Sequence, residues 1–149
     1  MMMKMFAFAL ILAAGPLIVS GCKDRSEPPE PPAKAPPKAT SADGVQISYD
    51  VTGSGEPTLV FVHGWCCDKT YWRNQIPHFS KSRQVVSIDL GGHGDSGLNR
   101  SEWTIEAFAQ DVAAVVDALD LRSVILVGHG MGGPVNLAVA RARPTRVTG

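Results

Sequence analysis

Apolar residues fall into blocks along this chain, and the blocks change character in a regular order. Thr58–Val62 (T-L-V-F-V), Gln84–Ile88 (Q-V-V-S-I) and Val124–Val127 (V-I-L-V) are short, nearly continuous apolar runs rich in β-branched residues. Such runs predict strands buried on both faces. Val45–Val51 alternates apolar and polar residues, which predicts a half-buried strand, and Gly53-Ser54-Gly55 marks a turn after it. Between the runs the period becomes helical. Ile105, Phe108, Ala109, Val112, Val115, Val116 and Leu119 share one helical face. Thr104 is the expected N-cap, Glu106 suits the dipole of the first turn, and Trp103 can staple onto Phe108. Asp68 is expected to cap a helix reaching about Phe79, with Pro77 ending or kinking it. Met131–Arg141 continues as a helix after the last apolar run. Strands alternating with helices imply an α/β fold with a mostly parallel sheet and helices on both faces. Right-handed crossovers then bring the loops at the carboxyl ends of the strands to one edge, where open α/β sheets bind ligands.

The front of the chain follows another pattern. Met1–Ser20 carries one cation, Lys4, and an apolar run from Met5 to Val19 broken only by Gly15-Pro16. This has the layout of a signal peptide, and it is short for a permanent span of about 20 apolar residues. Val19-Ser20-Gly21-Cys22 resembles a bacterial lipobox, in which the cysteine is lipidated and becomes the first mature residue. An ordinary cleaved signal peptide, or an anchor helix, is the alternative. Lys23–Thr40 has no core-forming residue beyond alanine and holds six prolines, which predicts a semi-rigid spacer rising about 3.1 Å per residue. The expected division is a signal peptide at 1–21, lipidated Cys22 with a proline-rich tether at 22–42, and a folded domain at 43–149. A lipid anchor implies the bacterial cell envelope, on the periplasmic or surface side, with the membrane as a partner.

Composition narrows the function. The chain has 149 residues, 14 basic and 14 acidic, with no basic stripe, so nothing points to nucleic acid. Of its three cysteines, Cys66 and Cys67 are adjacent and poorly placed to bridge each other. No C-x-x-C or His/Cys spacing suggests a metal site, and no cofactor is expected.

The candidate chemistry lies in the three loops that follow the apolar runs. His63-Gly64-Trp65 follows the first, Asp89-Leu90-Gly91-Gly92-His93-Gly94-Asp95-Ser96 the second, and Gly128-His129-Gly130-Met131-Gly132-Gly133 the third. Strand, glycine-bracketed turn and helix form the context of a nucleophile elbow, G-x-S-x-G. In this order the motifs resemble the α/β-hydrolase family of esterases, lipases and related enzymes, over roughly Val45–Gly149, the first half of a typical member. The resemblance implies hydrolysis of ester-like bonds in small molecules. It also implies an oxyanion hole built from the backbone N–H groups of Met131, after the nucleophile position, and Trp65, in the earlier loop. His63, Gly64 and His129 are expected to line the site, the histidines as hydrogen-bonded loop residues. His93 is expected to fix the glycine-rich loop, and Cys66 and Cys67 to be small packing residues.

The departures from the family decide the expected activity. Glycine occupies the nucleophile position at Gly130, and no histidine follows His129. Asp111, Asp117 and Asp120 read as solvated surface charges. With no triad member intact, the chain as written is expected to be inactive. The alternatives are a ligand-binding protein without catalysis and a non-functional fragment. With the family's later strands absent, Val124–Val127 is expected to present an open apolar edge, leaving this chain marginally stable.

Overall fold

The computed structural model describes residues 35–149. Five strands form one sheet: β1 (Lys38–Thr40), β2 (Gln46–Thr52), β3 (Thr58–Val62), β4 (Val85–Ile88) and β5 (Val124–Gly128). Their spatial order is β1-β2-β4-β3-β5. β1 runs antiparallel to β2, and β2 antiparallel to β4. β4, β3 and β5 are mutually parallel, so their carboxyl ends share one edge.

The apolar runs are continuous because both faces of the central strands are covered. Val60, Val62, Val86 and Ile88 point into the larger core, against α2 (Ile105–Ala118) and α3 (Gly132–Ala142). Leu59, Phe61 and Val85 point the other way, onto Trp72, with Ile76 packed beside them. The Phe61 and Trp72 rings stack at 4.8 Å. In α2, Phe108, Val112, Val115 and Val116 are fully buried on the stripe read from the sequence. Thr104 Oγ1 accepts the Ala107 N–H at 3.1 Å as the N-cap, and the Trp103 and Phe108 rings lie 6.3 Å apart as the staple.

Several expectations are corrected. β2 does not alternate: Ile47, Ser48 and Tyr49 are all buried. Ser48 is enclosed because its N–H donates to Ser96 Oγ (2.8 Å) and its hydroxyl accepts from Lys69 Nζ (3.0 Å). The helix expected from Asp68 to Phe79 is two separate turns, a 3-10 turn at Lys69–Trp72 and α1 (Ile76–Phe79). Asp68 caps the first, and Pro77 sits in the opening turn of the second, where its missing N–H costs nothing. β1 falls inside the segment read as tether, and its Ala39 is buried, so folded structure begins before residue 43. Signal peptide, Cys22 and most of the spacer lie outside the described residues. Finally, the β5 edge is partly occupied. Val124 N–H donates to Arg146 O (2.8 Å), Thr148 N–H to Val124 O (2.8 Å), and Leu126 N–H to Gly149 O (2.9 Å), with Val147 bridged parallel to Val124.

Candidate active site

Each loop singled out above leaves the carboxyl end of a parallel strand, and glycines let the loops touch. A Cβ on Gly64 would fall 2.9 Å from His129 Nδ1 and 3.1 Å from His129 O, so the loop after β3 is pressed against the turn after β5. His129 N–H closes the same contact by donating to Val62 O at 3.1 Å.

In the turn after β5 the glycines differ in their constraints. A Cβ on Gly128 would meet Gly132 C at 2.6 Å, and one on Gly132 would strike the Val62 carbonyl oxygen. Both positions are glycine because backbone passes where a side chain would be. Gly130 sits between them at φ +54°, the left-handed conformation of a strained strand-to-helix turn, yet its nearest neighbour to a Cβ would be Gly64 Cα at 3.8 Å. The elbow therefore has the shape and the room for a nucleophile's side chain, and carries none.

The amides behave as the turn dictates. Gly132 N–H donates to His129 O (2.9 Å) and Gly133 N–H to Gly130 O (3.0 Å), closing the first turn of α3. Among the described residues, the N–H groups of Met131 and Trp65 have no acceptor. A free N–H at a helix N-terminus, as at Met131, suits developing negative charge.

The histidines have separate tasks. His63 is wholly buried: Leu90 N–H donates to its Nε2 at 3.1 Å, and its Nδ1 lies 2.8 Å from Gly64 O. The first bond makes Nε2 the acceptor, so Nδ1 carries the proton and donates to Gly64 O. Both nitrogens are used, and burial pushes the pKa of His63 below its ordinary value. Expected to line the site, His63 instead lies beneath it and ties the loop after β3 to the loop after β4. His129 is exposed and stacks on Tyr71 at 4.5 Å. The His93 ring reaches Gly91 O through Nδ1 (3.0 Å) and packs on the edge of Trp65 at 5.4 Å. Cys66, expected to pack inside, is exposed at φ +58°, and Cys67 is half-buried; both thiols are free.

Two ion clusters that the sequence reading missed hold the glycine-rich loop. Asp89 Oδ1 accepts the Lys69 N–H (2.7 Å), and Oδ2 accepts Lys69 Nζ (2.8 Å) and the Asp95 N–H (3.0 Å). Burial works against the charge on Lys69, but its bonds to Asp89 and Asp95 outweigh it and leave the pKa raised. Asp111 is the larger correction. Instead of being a solvated surface charge it is fully buried, paired to Arg100 and accepting the Gly91 N–H at 2.9 Å. Arg100 also reaches Asp43 at 2.6 Å. Asp111 lies one turn from Phe108 and from Val115 on a strongly apolar helix, and that neighbourhood was the available signal. Nothing local marks Lys69. Asp117 and Asp120 remain surface partners of Arg143 and Arg122. Among the described residues no group of three or more His, Cys, Asp or Glu could hold a metal ion.

A family model described as the alpha/beta hydrolase fold matches residues 57–149, which include all three loops. The chain belongs to the α/β-hydrolase family. It is 34% identical over 127 residues to a haloalkane dehalogenase of Mesorhizobium japonicum, covering 84% of this chain and 41% of that protein. It is 41% identical over 112 residues to a non-heme chloroperoxidase of Streptomyces lividans, covering 72% and 40%. Among solved structures, a thermophilic esterase from Thermogutta terrifontis superposes with a TM-score of 0.69 at 32% identity, covering 74% of this chain and 42% of that one. The chain thus spans about two fifths of the length of these relatives. Relatives of one α/β-hydrolase fold with such different names make the fold a guide to site geometry and not to substrate.

Proposed function

We propose that this chain carries the oxyanion-binding part of an α/β-hydrolase scaffold for small ester-like molecules, and that as written it holds a carbonyl or anionic group without attacking it. The observation that carries this reading is the elbow itself: a Met131 N–H with no acceptor among the described residues, beside a left-handed Gly130 with open space above it. Trp65 N–H is the second donor. Without a hydroxyl at residue 130 no acyl-enzyme can form, and stabilising an oxyanion has no effect if nothing generates one. Cys22 is proposed as the lipid anchor, which would hold the domain at a membrane of the cell envelope.

The purified 149-residue chain is expected to hydrolyse p-nitrophenyl acetate no faster than buffer, while calorimetry detects binding of a small carboxylate or acyl ester. Turnover that survives removal of host esterases would overturn the inactive reading. Absence of any binding by a folded chain would overturn the ligand-holding one.

A further inference from the structure

The described residues expose few large apolar side chains, and three of them surround one cavity. Trp65 is 60% exposed, Leu98 74% and Trp103 42%. Together with Cys66, Gly92 and His93 they line a hollow of about 310 Å³ beside the loop that offers the Trp65 N–H. Isolated exposed apolar residues are ordinary, but a cluster rimmed by polar loops marks a surface that meets something apolar. Two tryptophans and a leucine are the side chains expected at a lipid headgroup boundary, where an apolar ring body and a polar N–H are both accommodated.

The start of the described chain indicates what meets this face. Ala35, Pro36 and Pro37 lie with Asp50, Lys69 and Asp95 around a second cleft. The next residue, Lys38, donates from Nζ to Asp95 O at 2.8 Å. Asp95 belongs to the same glycine-rich loop as Gly92 and His93. The spacer therefore joins the domain on the same loop that contributes Gly92 and His93 to the apolar cavity. From Cys22 to Lys38 a proline-rich chain reaches about 50 Å, so an anchored domain stays near enough to the bilayer to touch it. No lysine or arginine lines the cavity, and anionic lipid is not required.

We propose that the Trp65–Leu98–Trp103 face docks on the bilayer interface to which the chain is tethered. This rests on the Cys22 anchor proposed above. The test uses the full chain, produced with its own leader and reconstituted in phosphatidylcholine vesicles with and without dibrominated acyl chains. All three tryptophans of the sequence lie in the folded domain, and Trp72, in the core against Phe61, serves as the unquenched reference. Brominated lipid is expected to quench the wild-type emission, and at least half of that quenching is expected to vanish in Leu98→Glu and in the double variant Trp65→Phe, Trp103→Phe. The effect should be unchanged by added salt. A chain that floats with vesicles but is not quenched overturns the docking face, as does quenching equal to wild type in both variants. A lipid-independent, concentration-dependent blue shift without quenching assigns the face to a second copy and also overturns it. Flotation of a Cys22→Ala chain reads the anchor separately: if it floats like wild type the anchor reading fails, and bromine quenching still decides the docking face.

Discussion

Gly128, Gly130 and Gly132 look alike in the sequence, yet they answer to different forces. Gly132 has the Val62 carbonyl against it, so Gly132→Ala must move backbone and is expected to cost about 3 kcal/mol in urea unfolding. Gly130 has only its left-handed φ to satisfy. Gly130→Ser is expected to cost about 1–2 kcal/mol and to leave the fold intact by circular dichroism. Equal costs at the two positions would contradict this account of the elbow. His63 is the residue through which near-neutral pH acts on the fold. Burial lowers its folded pKa below the ordinary 6.5, so the folded state favours the neutral ring. Below pH 6.5 the unfolded chain takes up a proton that the fold resists, and stability falls as pH falls from there toward the folded pKa. The urea midpoint is expected to drop between pH 7 and pH 5.5, and His63→Gln should flatten that slope. The histidine's presence near the site was legible from H-G-W. Its burial was not, because enclosure depends on Leu90 and Gly64 arriving from two loops.

Among the elements, α2 was read most completely, because its signals are local. Seven apolar positions at helical spacing, a Thr cap and a Trp staple lie within one short stretch of chain. The cap is expected to be worth about 1 kcal/mol, so Thr104→Ala should lower the thermal midpoint by a few degrees without changing helix content at 20 °C. A null effect would mean that the Ala107 N–H finds water as readily. β3, β4 and β5 were equally legible, since strands covered on both faces must be apolar throughout. Three readings failed where local pattern and tertiary context disagree. β2 lost its alternation to the Lys69–Asp89 cluster over Ser48, the Asp68–Phe79 stretch broke into two turns, and β1 emerged from a segment whose composition reads as spacer. Three residues are too few to carry a pattern, and β1 exists because β2 offers an edge.

For the molecule as a whole, the two-sided sheet explains why three loops distant in sequence share one edge, and why both ion clusters lie under the glycine-rich loop between them. Lys69, Asp89, Asp95, Arg100 and Asp111 hold that loop with charge-assisted bonds in a partly enclosed setting. The sheet also carries its neighbour's pairing pattern at the β5 edge, where Arg146–Gly149 engage Val124 and Leu126. The amino-acid sequence by itself carried the three motifs that resemble the family, the central parallel strands with α2 and α3, and the glycine at the nucleophile position, because these depend on local periodicity and residue identity. Only the tertiary structure decided that His63 is a tie beneath the site, that Asp111 and Lys69 are interior charges, and that Trp65, Leu98 and Trp103 gather on one face. Those properties belong to pairs and groups of residues far apart in the chain, and burial and charge pairing exist only once the fold has brought them together.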